Sequence, residues 1–258
     1  GWWRGRCNEN NLRYKILNNL LLDHTKLMHF MSTDGPLDVV QSAIDESIYR
    51  DLSPIDSPVI GGVGMLHNLL GTVMRMGDLL IGSDKFEHTI GIGWTYFMMH
   101  YQWGIPMRSI LRFNQGAELA ALGPTSTGVH AFADLAANIL GIRLFNDFVG
   151  SHPDIITGTH PEPYIRCEGW WWWKRWVVND ARPFDWRNYL NVAWDEGYNC
   201  SDYRNQHIAD SVLGNIYSLE EDGRPYACPL DPAALEEAAE VFGPYRDWVI
   251  NAINADMP

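Results

Sequence analysis

The sequence lacks an excess of positive charge. It holds 19 Lys and Arg against 32 Asp and Glu, which gives a formal net charge of −13 at pH 7. Because phosphate binding needs clustered Lys and Arg, this balance argues against nucleic acid as a partner. It also disfavours attachment to anionic lipid through a polybasic segment. Hydrophobic residues make up 46% of the chain and charged residues 20%, a composition typical of a globular rather than a disordered protein.

The sequence also lacks a clean apolar run of membrane-spanning length, which is about 20 residues for a helix. Its longest uncharged stretch, residues 89–107, contains His100, Gln102 and Pro106. We therefore expect this stretch to form a buried core helix and not a transmembrane helix.

Cysteine is scarce, and none of the four residues forms a Cys-x-x-Cys pair. This absence argues against a zinc knuckle or a thioredoxin-like site. The chain begins at Gly1 instead of Met, which fits removal of a signal peptide. An even number of cysteines in an exported chain predicts disulfides, and we expect Cys167 to pair with Cys200 because both flank a Trp-rich segment. The alternative is four unpaired cysteines in a cytosolic protein.

The apolar spacing predicts a mainly α fold with a helical bundle core. We expect a helical core domain over residues 1–150, an irregular Trp-rich and disulfide-pinned region over 151–230, and C-terminal helices over 231–258. Asp231-Pro232 supplies a capped helix start. No stretch alternates with a period of two for long enough to predict a sheet. The expected helices cover residues 12–31, 37–50, 64–80, 84–101, 107–122, 128–148, 186–196 and 204–215.

Two of these helices carry polar side chains at a spacing of four in an apolar background. Side chains four residues apart share one helix face. Between the two helices, one glutamate is the only acid from residue 107 to 133. If the helices pack as antiparallel neighbours, these carboxylates and imidazoles would converge as a hydrolytic or metal site. The candidate catalytic residues are Asp84, His88, Glu118, His130, Asp134 and Asn138.

Each of these residues also has an ordinary explanation. Asp84-x-x-Glu87 is a capping box whose acids favour the positive N-terminus of a helix. The polar face at 130–138 is also typical of the solvated side of an amphipathic helix, and Glu118 fits a surface position. Neither helix carries the two-His spacing of a zincin, so the sequence assigns no metal ligands and identifies no cofactor.

Four consecutive tryptophans occupy positions 170–173, followed by Lys174 and Arg175. Three interpretations are open: packing of an irregular subdomain, an exposed aromatic platform, or contact with a lipid interface, where tryptophan is enriched. The two basic residues suit either a lipid headgroup or a glycan surface.

The pattern of polar residues resembles that of the YfiM-like lipoproteins of bacterial envelopes, with a looser similarity to the VanZ-like membrane proteins. The resemblance covers residues 83–142 and implies an envelope location and a polar cluster, but no activity. The chain departs from these proteins in lacking a lipobox at Cys7 and in adding the Trp- and Cys-bearing region. The matching elements are Asp84-Lys85-x-x-His88, Glu118, Ser126, Asp134-Leu-Ala-Ala-Asn138 and Gly141.

These observations favour an exported, envelope-associated helical protein with a buried polar site. In this hypothesis His88 is a general base oriented by Asp84, and Asp134 or Glu118 is the acid. The substrate would be a lipid or cell-wall component reached through the Trp-rich surface. The competing hypothesis is a non-catalytic accessory subunit, whose partners are a membrane surface or proteins of an envelope assembly. A third is a metal-stabilised fold.

Overall fold

Two neighbouring helices form the centre of the fold in a computed structural model of the chain. Helix α2 runs from residue 84 to 102 and helix α4 covers Phe132–Asp147. Successive segments of α2 are Asp84–Glu87 (α-helical), His88–Ile92 (π-helical), Gly93–Phe97 (α-helical) and Met98–Gln102 (π-helical). The structure describes residues 7–21, 39–42, 48–53, 55–56, 73–76, 79–82, 84–118, 127–170, 173–218 and 228–251.

The two central helices run in the same direction, and not antiparallel as the sequence analysis assumed. Residues later in α2 contact residues later in α4, as expected only for parallel helices. The paired residues are Lys85 with Asp134, His88 with Asn138, Thr89 with Ala137 and Gly93 with Gly141.

Gly93 and Gly141 set how closely α2 and α4 approach. A Cβ atom on Gly93 would lie 2.6 Å from the Cα of Gly141, and one on Gly141 would lie 2.8 Å from the Cα of Gly93 and overlap the backbone oxygen of Thr89. These neighbours are helix backbone and cannot rotate away. The glycine pair therefore holds the polar ends of the two helices together.

We expect Gly141→Ala to lower the free energy of unfolding by about 2–3 kcal/mol, because the added methyl group forces the helices apart. Gly116→Ala is the matched control, since a Cβ on this glycine, in the helix Met107–Ala117, meets nothing within 4 Å. That change should be neutral or stabilising, because alanine is the better helix former. Urea denaturation followed by circular dichroism measures both, and equal midpoints for the two variants would contradict the role given to Gly141.

Five further helices lie in the described part of the chain. Helix α1 begins after Asn8, whose side chain accepts from the backbone nitrogen of Asn11. The predicted capped start at Asp231 is confirmed: its carboxylate accepts from the backbone nitrogens of Ala233 and Ala234. Helices α1, α3, α5, α6 and α7 cover Glu9–Leu21, Met107–Ala117, Gln206–Ser218, Pro232–Ala239 and Arg246–Val249, with 3-10 turns at Trp186–Asn188, Val192–Trp194 and Glu240–Tyr245.

In the part of the chain that the structure describes, three small antiparallel sheets accompany the helices, so the prediction of a mainly α helical bundle is wrong and the fold is mixed α/β. The first strand lies within the helix predicted over 37–50, and the next two overlap the helix predicted over 64–80. Residues 64–72 are outside the described part. Strands of two to four residues are too short to show a period of two. The sheets are β1 (Val39–Ser42), β2 (Val73–Met76) and β3 (Leu79–Gly82) in that order, β4 (Val129–His130) with β7 (Asp202–Tyr203), and β5 (Ile165–Glu168) with β6 (Arg175–Val178).

Two disulfides form, Cys7–Cys167 and Cys200–Cys228, so the prediction of disulfides is confirmed and the Cys167–Cys200 pairing is wrong. Cys167 lies on β5, next to the segment that precedes α1. Among the described residues, no helix combines the length and apolar character needed to cross a membrane.

The tryptophans divide between the core and the surface. Trp186 and Trp194 are buried, and each packs against Phe86 in a T-shaped arrangement, at centroid distances of 5.6 and 5.7 Å. Trp170 and Trp173 are exposed, at 77% and 74%. Packing therefore accounts for the tryptophans after residue 185 but not for those at the β5–β6 turn.

Candidate functional site

The parallel packing of α2 and α4 places the N-terminal ends of both helices at one site. Asp84 and Asp134 lie in the first turns of these helices. Helix N-termini carry partial positive charge, which stabilises carboxylates there. The α-helix of α2 also changes to a π-helix at His88, a local irregularity that is frequent at functional sites.

A buried lysine lies at the centre of the site. The Nζ of Lys85 is 2.6 Å from Asp134 Oδ1, 2.8 Å from Glu196 Oε1 and 2.9 Å from Asp84 Oδ2. Burial by itself would lower the pKa of Lys85, but the charges of Asp134 and Asp84 outweigh it and raise the pKa above its usual value. The ammonium group therefore stays charged and holds three carboxylates from three elements together.

Glu196 closes the inner side of this cluster. Its second carboxylate oxygen accepts hydrogen bonds from Tyr49 and, at 3.0 Å, from Ser201. The adjacent Asp195 accepts from the backbone nitrogens of Leu80 and Gly197 at 2.7 and 2.8 Å, which fixes this loop to β3. Burial raises the pKa of Glu196 to about 7.

His88 is held by side chains on both of its ring nitrogens. Nδ1 lies 3.1 Å from Asn138 Oδ1, and Nε2 lies 3.5 Å from Asp134 Oδ2. The Asn138 amide is oriented because its nitrogen donates to Asn114 Oδ1, which also accepts from the hydroxyl of Tyr96. An amide oxygen can only accept, so Nδ1 is the donor in its contact with Asn138, and Nε2 is the ring nitrogen that faces Asp134.

Two buried carboxylates of the site have opposite pKa shifts. Burial opposes ionisation of Asp134, but the charges of His88 and Lys85 outweigh it and keep its pKa below the usual value. Burial and, next, the charge of Asp134 raise the pKa of Glu118 to about 7. Asp134 is therefore ionised at neutral pH while Glu118 retains a proton for part of the time. Titratable groups with pKa values pushed apart in this way are typical of acid–base pairs.

His130 departs from its predicted position. It lies on β4, before α4 begins at Phe132, and its Nδ1 is 3.8 Å from Asp202 Oδ2. Its charge nevertheless acts on both Glu118 and Asp134. The surface alternative for the stripe is wrong, since His130, Asp134 and Asn138 are only 4%, 8% and 0% exposed.

The structure thus brings Asp84, His88, Asp134 and Asn138 into direct or shared contact and places Glu118 and His130 within their electrostatic reach. One predicted role changes: Asp84 contacts Lys85, and the side chains that position His88 are Asp134 and Asn138. Glu118 is buried and does not lie at the surface.

One subset of these residues could hold a metal ion. Asp84, His88 and Asp134 each offer a ligand atom, and these atoms all lie within 4.8 Å of one another. Lys85 already neutralises one oxygen of each aspartate. A cation here would use the other oxygens, with the Asn138 hydrogen bond orienting the imidazole in the way that outer-shell partners orient metal ligands.

The sequence-based candidates omit Tyr96, Asn114 and Glu196, and they include Lys85 only within the Asp84-Lys85-x-x-His88 pattern. Nothing in the local sequence singles out Tyr96 or Asn114, and Glu196 is 111 residues from its partner Lys85.

Comparison with known proteins adds nothing to this geometry: no protein-family model, curated protein or solved structure matches the chain.

Proposed function

We propose that the chain is an exported, envelope-associated hydrolase in which His88 is the general base and Glu118 the general acid. The observation that carries the proposal is the fixed imidazole of His88. Asn138 holds Nδ1, and Nε2 faces the Asp134 carboxylate, which stabilises a proton taken up at this nitrogen. A base oriented in this way is the requirement for activating a water molecule.

In the reaction, Nε2 of His88 takes a proton from water as the oxygen attacks the scissile bond. Asp134, ionised by its own surroundings, stabilises the imidazolium that forms. Glu118 gives its proton to the leaving group, and the proton on His88 then returns to Glu118 through solvent. Lys85 keeps Asp134 in place throughout by its 2.6 Å contact.

Unpartnered polar atoms support a ligand at this position. In the described part of the chain, buried atoms without a hydrogen-bond partner include Asp84 Oδ1, Asn114 Nδ2 and Nε2 of His130. Buried polar atoms are nearly always satisfied in folded proteins. Similar atoms also occur away from the site, in His152 and Trp194. Those of Asp84, Asn114 and His130 belong to the site residues, where a substrate would supply the missing partners.

The proposed cellular location rests on observations other than the polar site. Disulfides persist in oxidising compartments, and the chain forms two. The resemblance to YfiM-like envelope lipoproteins favours the bacterial envelope, where a lipid or cell-wall component is the available substrate. The competing role, an accessory subunit of an envelope assembly, would leave the polar site without hydrolytic activity.

The test of the catalytic role compares wild type with His88→Gln. The assays use p-nitrophenyl esters of short and long acyl chains, p-nitrophenyl phosphate and purified peptidoglycan. We expect His88→Gln to lower kcat about a hundredfold, a usual effect of losing a general base. His207→Gln is the matched control, because this exposed histidine lies 3.7 Å from a carboxylate of Asp56 and away from the site.

Equal rates in wild type and His88→Gln would contradict the base assignment. Loss of hydrolysis on chelation, restored by Zn²⁺ or Mn²⁺, would instead make His88 a metal ligand. A readout that needs no substrate is the His88 ring tautomer, measured by long-range ¹H–¹⁵N NMR. We expect the Nδ1–H form, and its loss in Asn138→Ala.

A further inference from the structure

The β5–β6 hairpin presents tryptophans at its turn. Its strands pair from Ile165 with Val178 to Glu168 with Arg175. Gly169 enters the turn with φ of 100°, a conformation that favours glycine. The side chains of Trp170 and Trp173 are about three-quarters exposed. Exposed large aromatic side chains grouped at one tip are typical of an interaction surface.

Basic side chains lie beside these tryptophans. Lys174 and Arg175 are exposed, and within the part of the chain that the structure describes neither has a carboxylate within ion-pair distance. Other basic residues, such as Arg143 and Arg182, are paired with Asp154 and Asp147. Glu168 lies opposite Arg175 in the ladder but does not form an ion pair with it. In a chain with a net charge of −13, two cations without an ion-pair partner among the described residues, next to two exposed tryptophans, are a local exception.

A disulfide and backbone hydrogen bonds anchor the strands of the hairpin to the rest of the fold. The disulfide Cys7–Cys167 ties β5 to the segment before α1. At its base, Ile165 donates a backbone hydrogen bond to Phe148, and Asn179 donates to Tyr164. These contacts fix the strands that carry the turn to the rest of the fold.

We propose that the described side chains at the turn of this hairpin, Trp170, Trp173, Lys174 and Arg175, form a docking site for an anionic lipid bilayer. Tryptophan rings settle at the boundary between headgroups and acyl chains. Lys174 and Arg175 then reach the phosphates of anionic headgroups, where a basic residue near the membrane surface is attracted. Charge complementarity favours this occupant over a neutral glycan, which offers no partner for the two cations.

The base of the hairpin lies far from the polar site along α4. Phe148, which accepts the hydrogen bond of Ile165, follows the last residue of α4, whereas Asp134 lies in its first turn. At 1.5 Å per residue the two positions are roughly 20 Å apart. The strands of the hairpin are therefore attached at the end of α4 opposite the proposed catalytic residues.

The experiment is flotation of the full chain with vesicles of phosphatidylcholine, with and without phosphatidylglycerol, at physiological salt. We expect wild type to float with the anionic vesicles. Trp170→Ser/Trp173→Ser should bind roughly tenfold more weakly, and Lys174→Gln/Arg175→Gln should fall to the level seen with neutral vesicles. Phe113→Ser, an exposed aromatic on α3, and Lys15→Gln, an exposed lysine on α1, are the matched controls and should float as wild type does.

Failure of the wild type to float with anionic vesicles, or equal flotation of the tryptophan variant, would overturn the proposal. So would sedimentation of the chain with peptidoglycan in place of vesicles, which would assign the hairpin to a glycan. The hydrolysis assays do not involve the hairpin, so failure here is distinguishable from failure of the proposed activity.

Discussion

Replacing Lys85 with methionine is expected to lower the free energy of unfolding by about 3–5 kcal/mol, the usual cost of removing one partner of a buried ionic group. Methionine fills the space of the lysine stem but removes the charge. Asp84, Asp134 and Glu196, each within 3 Å of the ammonium nitrogen, would then face one another without a counter-charge. Chemical denaturation at pH 8 measures the loss.

The same variant should depend on pH more steeply than wild type. Without the ammonium group, the three carboxylates can relieve their repulsion only by taking up protons. Lys85→Met should therefore be less destabilised at pH 5 than at pH 8. Lys15→Met, at an exposed position of α1, is the control and should leave stability nearly unchanged. A Lys85→Met protein that unfolds like wild type at both pH values would show that the cluster has no energetic role.

Adding Glu196→Gln to Lys85→Met separates charge from packing. The amide keeps the shape of Glu196 and removes one of the uncompensated charges. The double variant should recover part of the stability that Lys85→Met loses at pH 8, with a coupling energy of about 1–3 kcal/mol. Additive losses from the two changes would indicate that Lys85 stabilises the fold by packing alone.

The central helices could be predicted from sequence, whereas the sheets could not. The helix over residues 84–102 and most of that over 132–147 show as apolar segments long enough for helical spacing to appear. Strands β1 to β3 are four residues each, and their apolar residues occur in runs that a helix also allows. Whether such a segment becomes a strand depends on its partners, and β1 pairs with a segment more than 30 residues away.

The candidate site shows the same division. Spacing places Asp134 and Asn138 on one face of a helix, but it does not say which helix this face meets or in which direction. The close contact of Gly93 with Gly141 shows which two helices approach one another, but glycines in two apolar segments do not indicate their relative direction. The roles of Glu196 and the disulfide partner of Cys200 depend on loop contacts between distant residues, for which spacing carries no information.

Replacing Glu118 with glutamine should stabilise the protein at pH 8 and change little at pH 5. Burial, and then the charge of Asp134, raise the pKa of Glu118 from 4.5 to about 7 in the folded state. Below pH 4.5 the carboxyl is protonated in the folded and unfolded chains alike. Between pH 4.5 and 7 the unfolded chain releases its proton more readily, so stability falls by about 3 kcal/mol across this window. Glutamine does not titrate and removes that loss.

The measurement is the free energy of unfolding of wild type and Glu118→Gln at several pH values from 5 to 8. The difference between them should grow with pH up to about 7 and then level off. Glu87→Gln, an exposed position on α2, controls for the general effect of removing one negative charge. Other buried acids, such as Glu196, titrate in both proteins and cancel in the difference. A constant difference, or one that grows towards low pH, would show that Glu118 is ionised in the folded state and cannot be the proton donor.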